Sequence, residues 1–192
     1  MSISPETIFS ILVGIGLAAS VGFRIFVPLF ALSLASYFNI IPLNENWQWV
    51  SSSSALIILG VATIVEVIAY FIPFLDNLLD TIAVPLAAIA GTAVMVATVS
   101  ELDPTFTWAL AIIAGGGTAA AIKGSTSTTR LASTTTTAGI GNPVISTVET
   151  GTSIVMSFLA IFIPVIAIIF VIFIFWILFR VYKLFKSSKS VK

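Results

Sequence analysis

A chain with no cysteine and no histidine has few groups that can do chemistry. Here those few fall in or beside long apolar runs: Arg24, Glu66, Asp76, Asp80, Arg130 and Glu149, with Thr134 and Asn142 in a polar stretch near the last two. Lacking His and Cys, the chain has no thiolate nucleophile, no histidine triad and none of the usual zinc or haem ligands, so no cofactor or metal is expected. What charged groups in hydrocarbon do is hold ions, relay protons or pair with one another, because an unpaired one costs several kcal/mol.

Each of these residues has a plain reading beside the functional one. Arg24 needs a carboxylate, water or an anion, and an ion pair with Glu66 is the simplest supply. Glu66 is the best candidate for a proton or cation site, and equally a structural partner for Arg24. Asp76 and Asp80 lie one helical turn apart, where they can hold a cation at the inner mouth, or act as a helix cap and a first-turn charge. Arg130 and Glu149 can bind a substrate's charges or each other. From Ser125 to Thr137 ten of thirteen residues are Ser or Thr, Thr134 among them. Their hydroxyls suit the solvation of a small ion or polar solute, and the plain reading is a flexible loop. Asn142-Pro143 reads as a helix cap followed by the first helical residue, which would aim an N-terminus at any cavity there.

The elements that must position these residues are membrane helices. The 192 residues are 58% hydrophobic and 8% charged, with mean hydropathy +1.16. That composition implies an all-α polytopic protein in one domain, residues 1–192, with the lipid bilayer as its main partner. A formal net charge of zero gives no basic surface for nucleic acid. Met1–Ser10 carries no Lys or Arg, so the first hydrophobic segment is expected to be retained. That first span, about Thr7 to Tyr37, would be roughly 45 Å long as one helix and must tilt, protrude or break. Gly14, Ala18 and Gly22 give it a small-residue face, and Pro28 is placed to loosen it. Ala55–Ile72 is a second span ended by Pro73, and a third runs to about Ser100. An acidic turn, Glu101 to Asp103, precedes a fourth span, Thr105–Ile122, whose Gly115-Gly116-Gly117 and Ala119-Ala120-Ala121 offer another close-packing surface. A short helix from Pro143 to near Gly151 and a last span, Ile154–Phe179 with Pro164 as a kink, complete the set.

Five of the eight basic residues lie between Arg180 and Lys192, which places the C-terminus in the cytoplasm. The loop from Asn39 to Ser54 has none, so it belongs outside, with Tyr37, Trp47, Trp49 and Trp108 as the aromatic belt. The N-terminus then comes out cytoplasmic as well. An even count requires a sixth crossing between Lys123 and Gly151, made by the polar segment. Six crossings allow a 3+3 inverted repeat, with halves 1–103 and 104–192, and with the polar helix broken. Five crossings, with one terminus on the other side, is the alternative.

Three blocks carry a resemblance: Gly22-Phe23-Arg24 at the end of the Gly-rich first helix; Glu66 to Thr81, with Ile72-Pro73-Phe74-Leu75-Asp76 and Leu79-Asp80-Thr81; and Arg130, Gly139, Asn142-Pro143 and Glu149. Together they resemble an uncharacterised family of small bacterial multi-pass membrane proteins that carries only a domain-of-unknown-function label. The resemblance implies topology and no activity. The chain has Tyr70 where that pattern suggests a charged residue after Glu66.

The expected function is a transporter or channel of the bacterial inner membrane for a small ion or polar solute. Its pathway would run through the Ser/Thr-rich segment, lined by Arg24, Glu66, Asp76, Asp80, Arg130, Thr134, Asn142 and Glu149. The alternative is a non-transporting scaffold or assembly factor whose buried charges fix helix register. An enzyme is not expected, and the protein partner foreseen is a second copy of the chain in a homo-oligomer.

Overall fold

A computed structural model describes residues 4–99 and 102–188; Glu101 of the expected acidic turn lies outside them. No strand occurs among the described residues. The helices are α1 (Pro5–Val21), α2 (Phe26–Tyr37), a 3-10 segment (Glu45–Ser51), α3 (Ser53–Ala69), α4 (Pro73–Thr98), α5 (Pro104–Leu110), a π-helical segment (Ala111–Gly116), α6 (Gly117–Thr137), α7 (Asn142–Phe162) and α8 (Pro164–Ser188). Among the described residues, three helical stretches are long and apolar enough to cross a membrane: Leu78–Thr98, Pro104–Thr137 and Asn142–Phe162. The 3-10 segment and α3, bent by 66° at their junction, make a fourth if counted as one broken span.

The first hydrophobic run is not one crossing. It breaks at Gly22–Ile25 and folds back, so α1 and α2 form a helical hairpin. Level markers along the neighbouring helices establish this. A Cβ on Gly14 would meet Met95 and Thr98 near the end of α4, whereas one on Gly22 would meet Ile122 and Ala119, deep in the bundle. The α2 arm then climbs back along α4: Ile25, Phe26, Leu29 and Leu32 share one apolar crevice with Leu86, Ala90, Val94 and Ala97, and Asn44 N, beyond the end of α2, donates to Ala97 O at 2.8 Å. Pro5, Ser10 and Val13 accordingly share a crevice with Ile41, Pro42 and Thr98. The sharp reversal needs Gly22, because its neighbour Ile122 leaves no room for a side chain: a Cβ there would lie 2.5 Å from Ile122 Cβ. Pro28 sits in the first turn of α2, where its ring is tolerated, and loosens nothing.

Two further expectations are corrected by the second half. Ser125–Thr137 is not a separate crossing. It continues the helix that begins at Pro104, whose 34 residues span roughly 50 Å at 1.5 Å per residue. Its hydroxyls are turned back on their own helix: Ser125 donates to Ala121 O, Thr128 to Gly124 O, Thr129 to Ser125 O, Thr136 to Ala132 O and Thr137 to Ser133 O. Such back-bonding satisfies a hydroxyl without water, so the run needs no wet pore to survive. The reversal comes instead at Ala138, which takes the left-handed conformation with Gly139. From there α7 runs unbroken to Phe162, beyond the expected stop near Gly151, and Pro164 opens α8 rather than kinking a longer helix.

Close packing explains the order of the bundle. α1 lies against α4, α7 and α8. A Cβ on Gly16 would press on Ala160 of α7 and Ala167 of α8. α4 and the π segment meet backbone to backbone, since a Cβ on Gly91 would lie 2.8 Å from Gly115 O. Ala167 of α8 faces Gly16, and further along Val171 and Ile174 pack with Ala19 and Phe23, so α8 runs parallel to α1. The first and last described residues therefore sit at opposite ends of the bundle, whereas two cytoplasmic termini would call for the same end. The hairpin has no counterpart in the second half, whose first element is the single long helix from Pro104. The outward faces of α3 and α8 are apolar, with Ile57, Ile64, Ile169 and Ile172 each at least 60% exposed, as lipid-facing helices require.

Candidate functional site

The helices converge on one buried ionic network. Asp76 and Asp80 lie one turn apart on α4, Arg130 and Thr134 one turn apart on α6, and Asn142, Ser146, Glu149 and Thr150 follow one face of α7. Arg130 is the hub, with every guanidinium nitrogen engaged. Nε donates to Glu149 Oε1 at 3.1 Å and Oε2 at 3.2 Å, Nη2 donates to Glu149 Oε2 and Nη1 to Asp76 Oδ1. Asp80 stands further off, its Oδ2 4.0 Å from Arg130 Nε, and is partly exposed. Asn142 Nδ2 donates to Asp76 Oδ2 at 2.9 Å and to Thr134 Oγ1 at 3.0 Å. Asp76 and Asn142 are thus not the caps that their positions suggest; both side chains turn inward, and Gly141 precedes α7 in Asn142's stead. A cap does form at Asp103, which accepts from Thr105 N at 2.9 Å ahead of Pro104.

The hairpin delivers Arg24 to this network. Its side chain is fully buried. Nε donates to Thr150 Oγ1 at 2.9 Å, and Nη2 donates to Ser146 O at 3.0 Å and to Ser146 Oγ. The expected pairing with Glu66 is not made. Glu149 is the ion partner, its Oε2 3.4 Å from Arg24 Nη1, while Glu66 accepts from Ile25 N at 2.8 Å and Phe26 N at 2.9 Å. The reason is geometric: the fold-back presents two free N–H groups at the start of α2, and a carboxylate on the adjoining helix satisfies both. Of the expected site residues, Arg24, Asp76, Asp80, Arg130, Thr134, Asn142 and Glu149 come together, and Glu66 stands beside them as a cap.

Three contributions were not foreseen. Tyr70 is buried at the centre, with Arg24 Cζ at 4.0 Å, Arg130 Cζ at 4.5 Å and Lys123 Nζ at 4.9 Å from its ring centroid; the ring's electron-rich face favours nearby cations. Lys123 is fully buried and donates to Phe23 O at 3.5 Å. Ser20 of α1 bonds Ser153 O and the hydroxyls of Ser153 and Ser157, extending the polar face of α7 towards the end where α1 begins. The spacing of Ser146, Thr150, Ser153 and Ser157 in an apolar helix is a legible signal for that face; Tyr70 and Lys123 give none, because an aromatic or a lone lysine at the end of a span ordinarily marks an interface.

No group of His, Cys, Asp and Glu among the described residues is arranged to hold a metal ion. The curated proteins and the solved structures contain no match to the chain. A family described as a domain of unknown function, DUF4126, matches residues 11–184. That stretch contains the hairpin from Ile11 onward and every member of the buried network, and the chain belongs to this family.

Proposed function

We propose that the protein is a membrane transporter or channel for a small ion or polar solute, and that the buried network at the hairpin tip is its binding site. The observation that carries this reading is Arg24: a folded-back hairpin brings a fully buried guanidinium to the middle of the bundle, beside a network that reaches partly exposed Asp80. A helix pair that enters and returns is tolerated at membrane depth only where protein or a wet cavity shields its tip, and half-helices ending on charged groups are a recurring way to build a solute site.

The topology we propose is five crossings, α3, α4, α5 with α6, α7 and α8, plus the α1–α2 hairpin, in a bacterial inner membrane. The basic residues from Arg180 onward favour the cytoplasm for the end of α8. The start of α1, the Glu45–Ser51 segment and Trp108 then face outside. Reconstitution into proteoliposomes tests the function: flux of at least one inorganic ion or small polar solute above protein-free vesicles is expected, and its absence across a panel of cations, anions and neutral solutes would remove the reading. The complete engagement of Arg130 by α4 and α7 favours a second one, a scaffold whose ion network fixes helix register; partners co-purifying with a protein that shows no flux would support it.

A further inference from the structure

We infer that Arg24, Lys123 and Tyr70 form a site for a small monovalent anion at the tip of the hairpin. This names the substrate class of the pathway proposed above and rests on that reading for its role in transport.

The argument is one of unused donors. Arg24 Nη1 is a buried side-chain nitrogen without a hydrogen-bond partner. Its neighbour Glu149 lies 3.4 Å away, but both oxygens of that carboxylate already accept from Arg130. Lys123 has three N–H donors and makes one long bond, to Phe23 O at 3.5 Å. No carboxylate lies within ion-pair distance of it among the described residues. Both cations lie against the ring of Tyr70, beside the Gly22–Ile25 reversal. The nearby carboxylates are engaged elsewhere: Glu66 accepts from the start of α2, Asp76 and Glu149 accept from Arg130, and Asp80 sits at the partly exposed edge. A fully buried ammonium with unfilled donors is costly in such surroundings. A small anion accepting from Lys123 Nζ and Arg24 Nη1 fills both; a dianion would be repelled more strongly by Glu149, 3.4 Å from Arg24 Nη1.

Chloride is the probe. Titrated into the detergent-purified full chain in a gluconate background, it is expected to show saturable broadening of its chlorine NMR line, reversed by excess bromide or nitrate. Lys123→Met should weaken binding by at least about tenfold, the loss that accompanies removal of a charge-assisted hydrogen bond, while Lys123→Arg retains it. Should Lys123→Met fail to fold, the wild-type titration and its competition by bromide decide alone. Non-saturable broadening equal to a protein-free detergent blank would mean that water fills the site and would overturn the inference, as would unchanged saturable binding in folded Lys123→Met. Saturable, Lys123-dependent binding without flux in vesicles would leave the anion site standing and remove transport. Flux of a cation or neutral solute without chloride binding would do the reverse.

Discussion

If Glu66 holds the hairpin tip, removing one of its oxygens should cost more than removing most lipid-facing side chains outright. Its two carboxylate oxygens accept from Ile25 N at 2.8 Å and Phe26 N at 2.9 Å, and the residue is 7% exposed, so water is not at hand to replace them. Glu66→Gln keeps one acceptor and sets an NH2 group against the other N–H. It loses a charge-assisted bond, worth about 1.5–3 kcal/mol, and strands a buried donor at about 1–3 kcal/mol more, a total of roughly 3–5 kcal/mol. Glu66→Ala strands both donors and removes the negative charge from the positive end of α2, and should cost about as much or more. Exposed Ile64 of the same helix is the control, since Ile64→Ala leaves no cavity in the bundle. Reversible unfolding in mixed detergent micelles, followed by tryptophan fluorescence, reads the difference. A loss below about 0.5 kcal/mol for Glu66→Gln, within the ordinary range for surface changes, would show that the tip is held by something other than this carboxylate.

The same geometry makes Arg24 and Glu66, which share no direct bond, couple less in an alanine mutant cycle than Arg130 and Asp76, which should couple by at least about 2 kcal/mol; stronger coupling in the first pair than in the second would refute the assigned partners. Gly22→Ala should lower folded yield sharply, because its Cβ would fall 2.5 Å from Ile122 Cβ, while Gly117→Ala, with nothing within 4 Å, should be neutral or stabilise by up to about 1 kcal/mol; size-exclusion recovery of the two variants compares them. In sealed vesicles, single cysteines at exposed Glu6 and Asn46 should react with an impermeant thiol reagent from one side, and those at exposed Ile140 and Lys183 from the other. Labelling of Glu6→Cys and Asn46→Cys from opposite sides would mean that α1 and α2 cross together as one span.

The polytopic helical class was legible because composition decides it, and so were the close-packing faces, since Gly14, Gly22, Gly115 and Gly116 do lie where helices touch. The residues of the site were legible for a related reason: a charge in an apolar run is expensive enough to need a partner, so Arg24, Asp76, Arg130 and Glu149 had to meet something. Which partner each takes was not legible, because that depends on where the chain reverses. A 31-residue apolar run from Thr7 to Tyr37 reads identically as one long helix or as two that fold back. What selects the second is Glu66, some 40 residues away in sequence, supplying acceptors for N–H groups that exist only once the fold-back has formed. The course of the Ser/Thr run was not legible for a related reason. Its letters do not show that its hydroxyls bond back to their own helix, so that it continues the helix from Pro104.

Tyr70 shows how far the consequence of that reversal reaches. In sequence it interrupts a pattern of charges and suggests a missing partner. In the fold it occupies the space that Arg24, Lys123 and Arg130 share, and a carboxylate there would have given Lys123 the ion pair it lacks. The aromatic ring attracts the three cations without neutralising any of them. Lys123 is thereby left incompletely bonded at the tip of the hairpin, the condition under which a mobile anion can bind and leave. Tyr70→Glu should therefore abolish saturable chloride binding while preserving the folded protein, whereas Tyr70→Phe, which keeps the ring, should leave binding within about twofold of wild type. A Tyr70→Glu protein that still binds chloride with wild-type affinity would place the anion elsewhere.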